Sequence, residues 1–391
     1  MNLETVNHFS KQEKLKKWMK YQVYDEELFT QQVYSSTKND VQKMTFKIQK
    51  RGLLNKLVIK FNFTYGSNGY DADGNTGGEK WVGLELLDNA RLYCGKQLIY
   101  TLSSSDNLAM FQLCSTTDRR IYTDACKKDS FATVSSGTTY DVYCPLLFGC
   151  FEEIDNLLDT LFIQDLRLEL DIMPINQCIY SVGTNNIMNS ITILSQHLVI
   201  DDYKKFYQER YTGETYSLIT HDNFHEKTLT TSSIPQGTQF DSGKVELCCK
   251  YKDIEQSYFF ISVNGIYDWM NGEEITKLQI YDQNKVINQA NTNIEDLILH
   301  HTEYMKENHL KDNSSPYETL VRVINYGVYS TLDQSNSIDM SESTYFYKIN
   351  FNSSQGANDG SDNRTYNIFI THNYLKKIVF DKKGSVIEID C

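Results

Sequence analysis

The run Leu166-Arg167-Leu168-Glu169-Leu170-Asp171-Ile172 sets four aliphatic side chains on one face of an extended chain and three charges on the other. Side chains change face at every residue only in a strand, so this run predicts a half-buried β-strand and excludes a helix. Met44-Thr45-Phe46-Lys47-Ile48-Gln49-Lys50 alternates in the same way. So does Ile59-Lys60-Phe61-Asn62-Phe63-Thr64-Tyr65, after an Arg51-Gly52 turn. Strands with one wet face belong to antiparallel sheets. Composition agrees: 27 Tyr and 19 Phe stand against only 4 Pro, and aromatic and β-branched residues favour strands. The predicted class is all-β.

Further strands are predicted at 91–100, 108–114, 138–147, 161–173 and 191–200. Short helices are expected at 152–160 and at 201–211, where Asp201 and Asp202 suit the helix dipole and Gly213 can end the helix. The β pattern then restarts. Strands are expected at 215–222, 245–251, 257–263, 277–287, 319–329, 344–351, 366–372, 375–380 and 386–389, with a helix at 294–307. The chain therefore divides into an arm over 1–40, a first sandwich with its bridging helix over 41–212, and a second over 213–391. An internal echo supports this division. Ala90-Arg91-Leu92-Tyr93-Cys94-Gly95-Lys96-Gln97-Leu98-Ile99 resembles the stretch from Thr276 to Ile287, each being a strand, a turn and a returning apolar pair. The stretch Asn189 to Leu198 resembles Tyr366 to Leu375, each running into a His and then a Leu.

Charge is uneven along the chain. The formal net charge is −13, so the chain on average repels nucleic acid, which leaves room only for a local basic patch. Residues 10–20 reverse that sign, with five lysines against one acid. Ser10 and Glu13 have capping-box spacing, and Leu15, Trp18 and Met19 fall on one helical face with most of the lysines outside it. Two readings stand: a solvated terminal helix, or an arm that docks on a membrane surface or a neighbouring subunit through Leu15, Lys16, Lys17, Trp18, Met19 and Lys20. No apolar stretch approaches a membrane span, and residues 1–20 lack a signal-peptide core. The nine cysteines are scattered without a Cys-x-x-Cys pair, which suggests reduced thiols inside a cell.

Catalytic signatures are missing. There is no phosphate-binding glycine loop, no Gly-x-Ser-x-Gly elbow and no His-Glu-x-x-His. Asp71-Ala72-Asp73-Gly74-Asn75-Thr76-Gly77-Gly78-Glu79 has the oxygen spacing of a calcium loop, but Thr76 stands where glycine is needed and Val82 where glutamate is needed. It reads as a strand-connecting loop, as does 358–363. His300-His301 reads as a polar helix face. Glu152-Glu153, Asp201-Asp202 and Glu273-Glu274 read as helix-dipole partners rather than a hydrolytic pair. The expectation is a protein that is not an enzyme and carries no catalytic residue, metal or cofactor. A rival reading is a carbohydrate-binding or carbohydrate-active β-sandwich, which would need an aromatic-lined cleft and two facing acids.

Certain segments resemble a known family. Arg51-Gly52-Leu53-Leu54 leads into a long alternating strand. Tyr143-Cys144-Pro145-Leu146-Leu147-Phe148 is followed by Leu161-Phe162-Ile163-Gln164-Asp165-Leu166-Arg167-Leu168-Glu169-Leu170, and the helix at 201–211 bridges to the second half. Together these resemble the double jelly-roll major capsid proteins of virophages, polinton-like viruses and nucleocytoplasmic large DNA viruses, over about residues 41–390. The resemblance implies two tandem eight-stranded antiparallel jelly-roll sandwiches with short connecting helices. It also implies a major capsid protein that self-assembles as pseudo-hexameric homotrimers into the icosahedral shell of a double-stranded DNA virus. The implied partners are further copies of itself, penton and minor capsid or cement proteins, and an inner membrane reached through the arm. The implied location is the virion, the protein being made in the host cell and not secreted through a signal peptide. Loops at 66–80, 115–137 and 229–243 would project outward or clasp neighbours.

Overall fold

The structure is a computed structural model. It describes residues 19–27, 34–66, 82–113, 125–126, 137–151, 156–178, 186–263, 275–291, 322–326, 337–353 and 363–390. The chain groups into two compact units, one of residues 1–107, 122–222 and 376–390, the other of 108–121, 223–375 and 391.

The first sandwich is built from β1 (Met19–Glu27), β2 (Gln42–Lys47), β3 (Leu53–Thr64), β4 (Leu87–Cys94), β5 (Gln97–Ser103), β6 (Thr139–Leu146), β7 (Leu158–Asp159), β8 (Leu166–Ile172) and β9 (Ile187–Ile200). One sheet runs β1-β9-β3-β6, with β7 added to β3, and the other runs β2-β8-β4-β5. The pairings within both sheets are antiparallel. Alternation decides which face is buried. Met44 and Phe46 of β2, Ile59, Phe61 and Phe63 of β3, and Leu166, Leu168, Leu170 and Ile172 of β8 all face the core. Asp171 breaks the polar-out rule of β8: it is buried and its Oδ2 pairs with Arg91 on the neighbouring β4, which sets opposite charges together.

The second sandwich follows with β10 (Thr215–His225), β11 (Leu229–Thr230), β12 (Ile234–Pro235), β13 (Gln239–Asp241), β14 (Val245–Glu246), β15 (Ile254–Val263), β16 (Ile275–Asp282), β17 (Lys285–Asn291), β18 (Arg322–Asn325), β19 (Tyr345–Asn352), β20 (Asn363–Arg364), β21 (Tyr366–Asp381) and β22 (Val386–Asp390). One sheet runs β10-β21-β15-β18, with β11 and β22 on β21, and the other runs β13-β19-β16-β17, with β14 on β19. Its core holds Phe259 and Ile261 from one sheet against Leu278, Ile280, Tyr347, Ile349 and Phe351 from the other. With β1 to β6, β8 and β9 matched in turn to β10, β13, β15 to β19 and β21, the two sandwiches have the same strand order.

The echoed segments occupy equivalent places. The β4–β5 and β16–β17 hairpins each carry a register shift, at Leu92/Tyr93 and Ile280/Tyr281. Each turns through a residue of positive φ, Gly95 and Gln283, whose amide bonds the residue just before the neighbouring strand, Asp165 and Thr344. The second echo lies on β9 and β21, which hold the same position in their sheets.

Several sequence expectations are corrected by local hydrogen bonding. Of the strand expected at 108–114, residues 108–113 are helical instead, in the helix Ser104–Leu113. Ser103 and Asp106 form a reciprocal capping pair, each backbone amide donating to the other's side chain. Buried Asn107 then locks the helix start by donating to the Pro145 carbonyl and accepting from the Leu147 amide. The strand expected at 161–173 begins only at Leu166. Asp159 takes the amides of Leu161 and Phe162 on its carboxylate and that of Ile163 on its carbonyl, which winds the chain into a turn. Within 152–160, Leu158–Asp159 pairs with β3 as a strand. The strands expected at 366–372 and 375–380 are one continuous β21. In 245–251 only Val245–Glu246 is strand, because the amides of Cys248 and Cys249 donate to Glu226 instead of a neighbouring strand. The helix expected at 294–307 lies outside the described residues.

The helix Tyr203–Arg210 fills the place expected at 201–211. Asp202 caps it by accepting from the Lys205 amide at 3.1 Å, so this acid serves the helix start. Phe206 packs among Leu53, Leu157, Leu198 and Ile200. Tyr203 and Tyr211 donate to Asp159 at 2.9 and 3.0 Å. Burial still holds the Asp159 carboxyl above its ordinary value, against the pull of Arg210 and the two hydroxyls. No helix among the described residues is long and apolar enough to cross a membrane.

Candidate functional site

Among the described residues, a set of side chains able to hold a metal ion lies in the second unit. Glu226 directly follows β10, Cys249 follows β14, and His372 sits on β21. One donor atom from each lies within 4.8 Å of the others, and exposures are 4%, 1% and 0%. The Glu226 carboxylate accepts the amides of Cys249 at 2.7 Å and Cys248 at 2.9 Å, and meets His372 Nε2 at 3.2 Å. Burial alone would raise this carboxyl. The hydrogen bond and charge of His372, with the two amides, outweigh burial and hold it below its ordinary value. Burial pushes the Cys249 thiol up to about 12. On the far side of the ring, His372 Nδ1 lies 2.6 Å from Ser257 Oγ, which donates to Tyr326 at 3.1 Å.

This cluster escapes a reading of the sequence. Glu226, Cys249 and His372 are joined only by the course of β10, β14 and β21. The one local signal is the histidine that ends the echoed apolar run on β21.

The arm residues named from sequence are placed only in part. Leu15, Lys16, Lys17 and Trp18 lie outside the described residues. Met19 and Lys20 do not continue a helix: they open β1, which pairs antiparallel with β9 from Met19 opposite Ile200. Tyr21, Val23 and Tyr24 are strand formers, and β9 offers them a free edge to complete the sheet. Residues 19–27, assigned to an arm, are therefore a strand of the first sandwich. The acidic loop Asp71 to Glu79, His300-His301, Glu152-Glu153 and Glu273 with Glu274 lie outside the described residues, as does 358–362.

Comparison of the architecture with solved structures is decisive for the fold. PBCV-1 VP54, whose crystal structure has been fitted into a cryo-EM reconstruction of the virophage Sputnik, superposes with a TM-score of 0.66 at 11% identity, over 94% of this chain and 96% of that one. The Faustovirus major capsid protein gives 0.60 at 7% identity, over 94% and 90%. The mavirus major capsid protein gives 0.56 at 10% identity, over 94% and 90%. The chain has the double jelly-roll capsid fold.

At such low identity the likeness resides in strand order and not in shared side chains. No protein-family model matches the sequence, and no curated protein matches it. In this double jelly roll the equivalent hairpins β4–β5 and β16–β17 both present apolar side chains to solvent: Leu98 on the first, Val286 and Ile287 on the second. They lie on β5 and β17, the last strands of their sheets.

Proposed function

We propose that the chain is a major capsid protein that assembles as pseudo-hexameric homotrimers in the icosahedral shell of a double-stranded DNA virus. The observation that carries this reading is one strand order used twice in one chain. Three such chains about a threefold axis supply six similar sandwiches, a near-hexagonal brick that can tile a shell. The fold likeness to the Faustovirus and mavirus major capsid proteins over 94% of this chain supports it. The role is structural and not enzymatic, and the place is the virion. Exposed Leu98, Val286 and Ile287 suit burial between copies. The net charge of −13 suits a body that leaves genome contact to others. Penton, minor capsid or cement proteins would complete the shell, with the basic segment before β1 meeting them or an inner membrane.

Purified full-length chain is expected to run at three times its 45.4 kDa mass and to show hexagonal outlines by negative-stain imaging. A monomer that is retained on polysaccharide would overturn the reading in favour of a carbohydrate-binding sandwich. Removing residues 1–18, which spares β1, is expected to leave the trimer intact and abolish its flotation with anionic vesicles. Unchanged flotation would remove the membrane role of the arm.

A further inference from the structure

We infer that Glu226, Cys249 and His372 form a three-ligand zinc site inside the second jelly roll. The hydrogen-bond pattern around His372 points there first. Ser257 gives its hydroxyl hydrogen to Tyr326, so its oxygen accepts the Nδ1–H of His372. The lone pair of Nε2 then faces the Glu226 carboxylate at 3.2 Å. Two acceptors at that separation, both buried, need a cation between them, either a proton or a metal ion. An imidazole whose second nitrogen donates to a fixed oxygen is also the usual state of a metal-bound histidine.

The donor set selects the ion. Sulfur, imidazole nitrogen and one carboxylate oxygen are the ligands of Zn²⁺, and hard cations such as Ca²⁺ or Mg²⁺ would want oxygens only. Zinc bonds of about 2.0–2.3 Å put tetrahedral donors about 3.3–3.7 Å apart, so donors within 4.8 Å close on the ion by shifts of about 1 Å. Charge balances as well. Zn²⁺ with one thiolate, one carboxylate and a neutral imidazole sums to zero, which suits a core lined by Ile254, Tyr347, Ile370 and Tyr374. Each Glu226 oxygen has a lone pair beyond the one its amide takes. Binding releases the Cys249 thiol proton, and the Nε2 proton where one is present, to solvent. The ion would tie the end of β10 and the middle of β21 to the segment after β14, and so join the two sheets of the sandwich.

The test is zinc content of the purified protein after exposure to Zn²⁺ and gel filtration, with Co²⁺ as a spectroscopic stand-in. One metal per chain is expected, with a thiolate-to-cobalt charge-transfer band. Cys249→Ser should weaken zinc binding at least about tenfold and remove the band, and Ser257→Ala should weaken binding about 10–100-fold through the loosened imidazole. Cys248→Ser, at the exposed neighbour, should change neither. Wild-type protein that keeps no zinc and shows no band would overturn the site and leave a His372–Glu226 hydrogen bond. Zinc held equally well by Cys249→Ser would overturn it too, since the metal would then lie elsewhere. Should Cys249→Ser fail to fold, the wild-type cobalt spectrum and the Cys248→Ser control decide.

Discussion

Gly52→Ala is expected to destabilise the first jelly roll by about 3 kcal/mol or more, enough to unfold a marginal domain. Gly52 has φ of +144°, a backbone conformation L side chains rarely adopt, and an added Cβ would sit well inside 3.0 Å of the Leu198 carbonyl oxygen. That oxygen belongs to β9, a central strand of its sheet, so no flexible side chain can yield. The same residue is held from the other side. Thr160 Oγ1 accepts the amides of Arg51 and Gly52 and donates to the Gly52 carbonyl at 2.8 Å, and the Thr160 amide donates to the same carbonyl at 2.9 Å. Thr160→Val should therefore be milder, about 1–3 kcal/mol, through buried amides left without a partner. Equilibrium unfolding in denaturant checks both. Equal stability of Gly52→Ala and the parent would show that the turn can be rebuilt without cost.

The second large effect concerns a buried charge. Lys376 Nζ donates to Asp222 at 2.6 Å, also donates to the Ile99 carbonyl, and lies 4.9 Å from the centre of the Tyr100 ring; both charged side chains are less than 10% exposed. Desolvating two ions is unfavourable, and their attraction offsets that only while both are present. Asp222→Ala should cost about 3–5 kcal/mol, because the ammonium is left in a site with a ring face and one carbonyl. Replacing both residues together, as Asp222→Leu with Lys376→Met, should recover most of that loss. Thermal unfolding of the parent, Asp222→Leu, Lys376→Met and the double variant forms a complete cycle. Additive losses in the double variant would show that the two charges do not depend on each other.

How much of this was readable in the chain varies with the range of the interaction. Alternation in β2, β3 and β8 announced the sandwich class because period two is a local property of extended backbone. The two echoes marked the duplication because a hairpin and a strand carry their own turn and face patterns. Their equivalence extends to the register shift and the positive-φ residue of each hairpin. Where the readings failed, a local side chain had captured the backbone. Ser103 with Asp106 turned an apolar stretch into a helix, Asp159 delayed β8 to Leu166, and Glu226 took the amides that would have prolonged β14. Apolar pattern alone cannot announce a cap.

The arm shows the same limit from the other direction. Leu15, Trp18 and Met19 satisfy a helical period, yet Met19 begins a strand because β9 has an edge to fill, and an unpaired edge is a property of the sheet and not of the segment. The zinc cluster lies further still beyond sequence reading. Its three ligands are spread over 147 residues, from Glu226 to His372, and no spacing rule links them. Local periodicity was enough to establish two β-sandwiches in tandem, because burial acts on each strand separately. Which strands meet, which edge β1 completes and which polar groups converge in the core depended on tertiary structure, because those pairings are chosen by sheet edges and packed faces that exist only after the chain has folded.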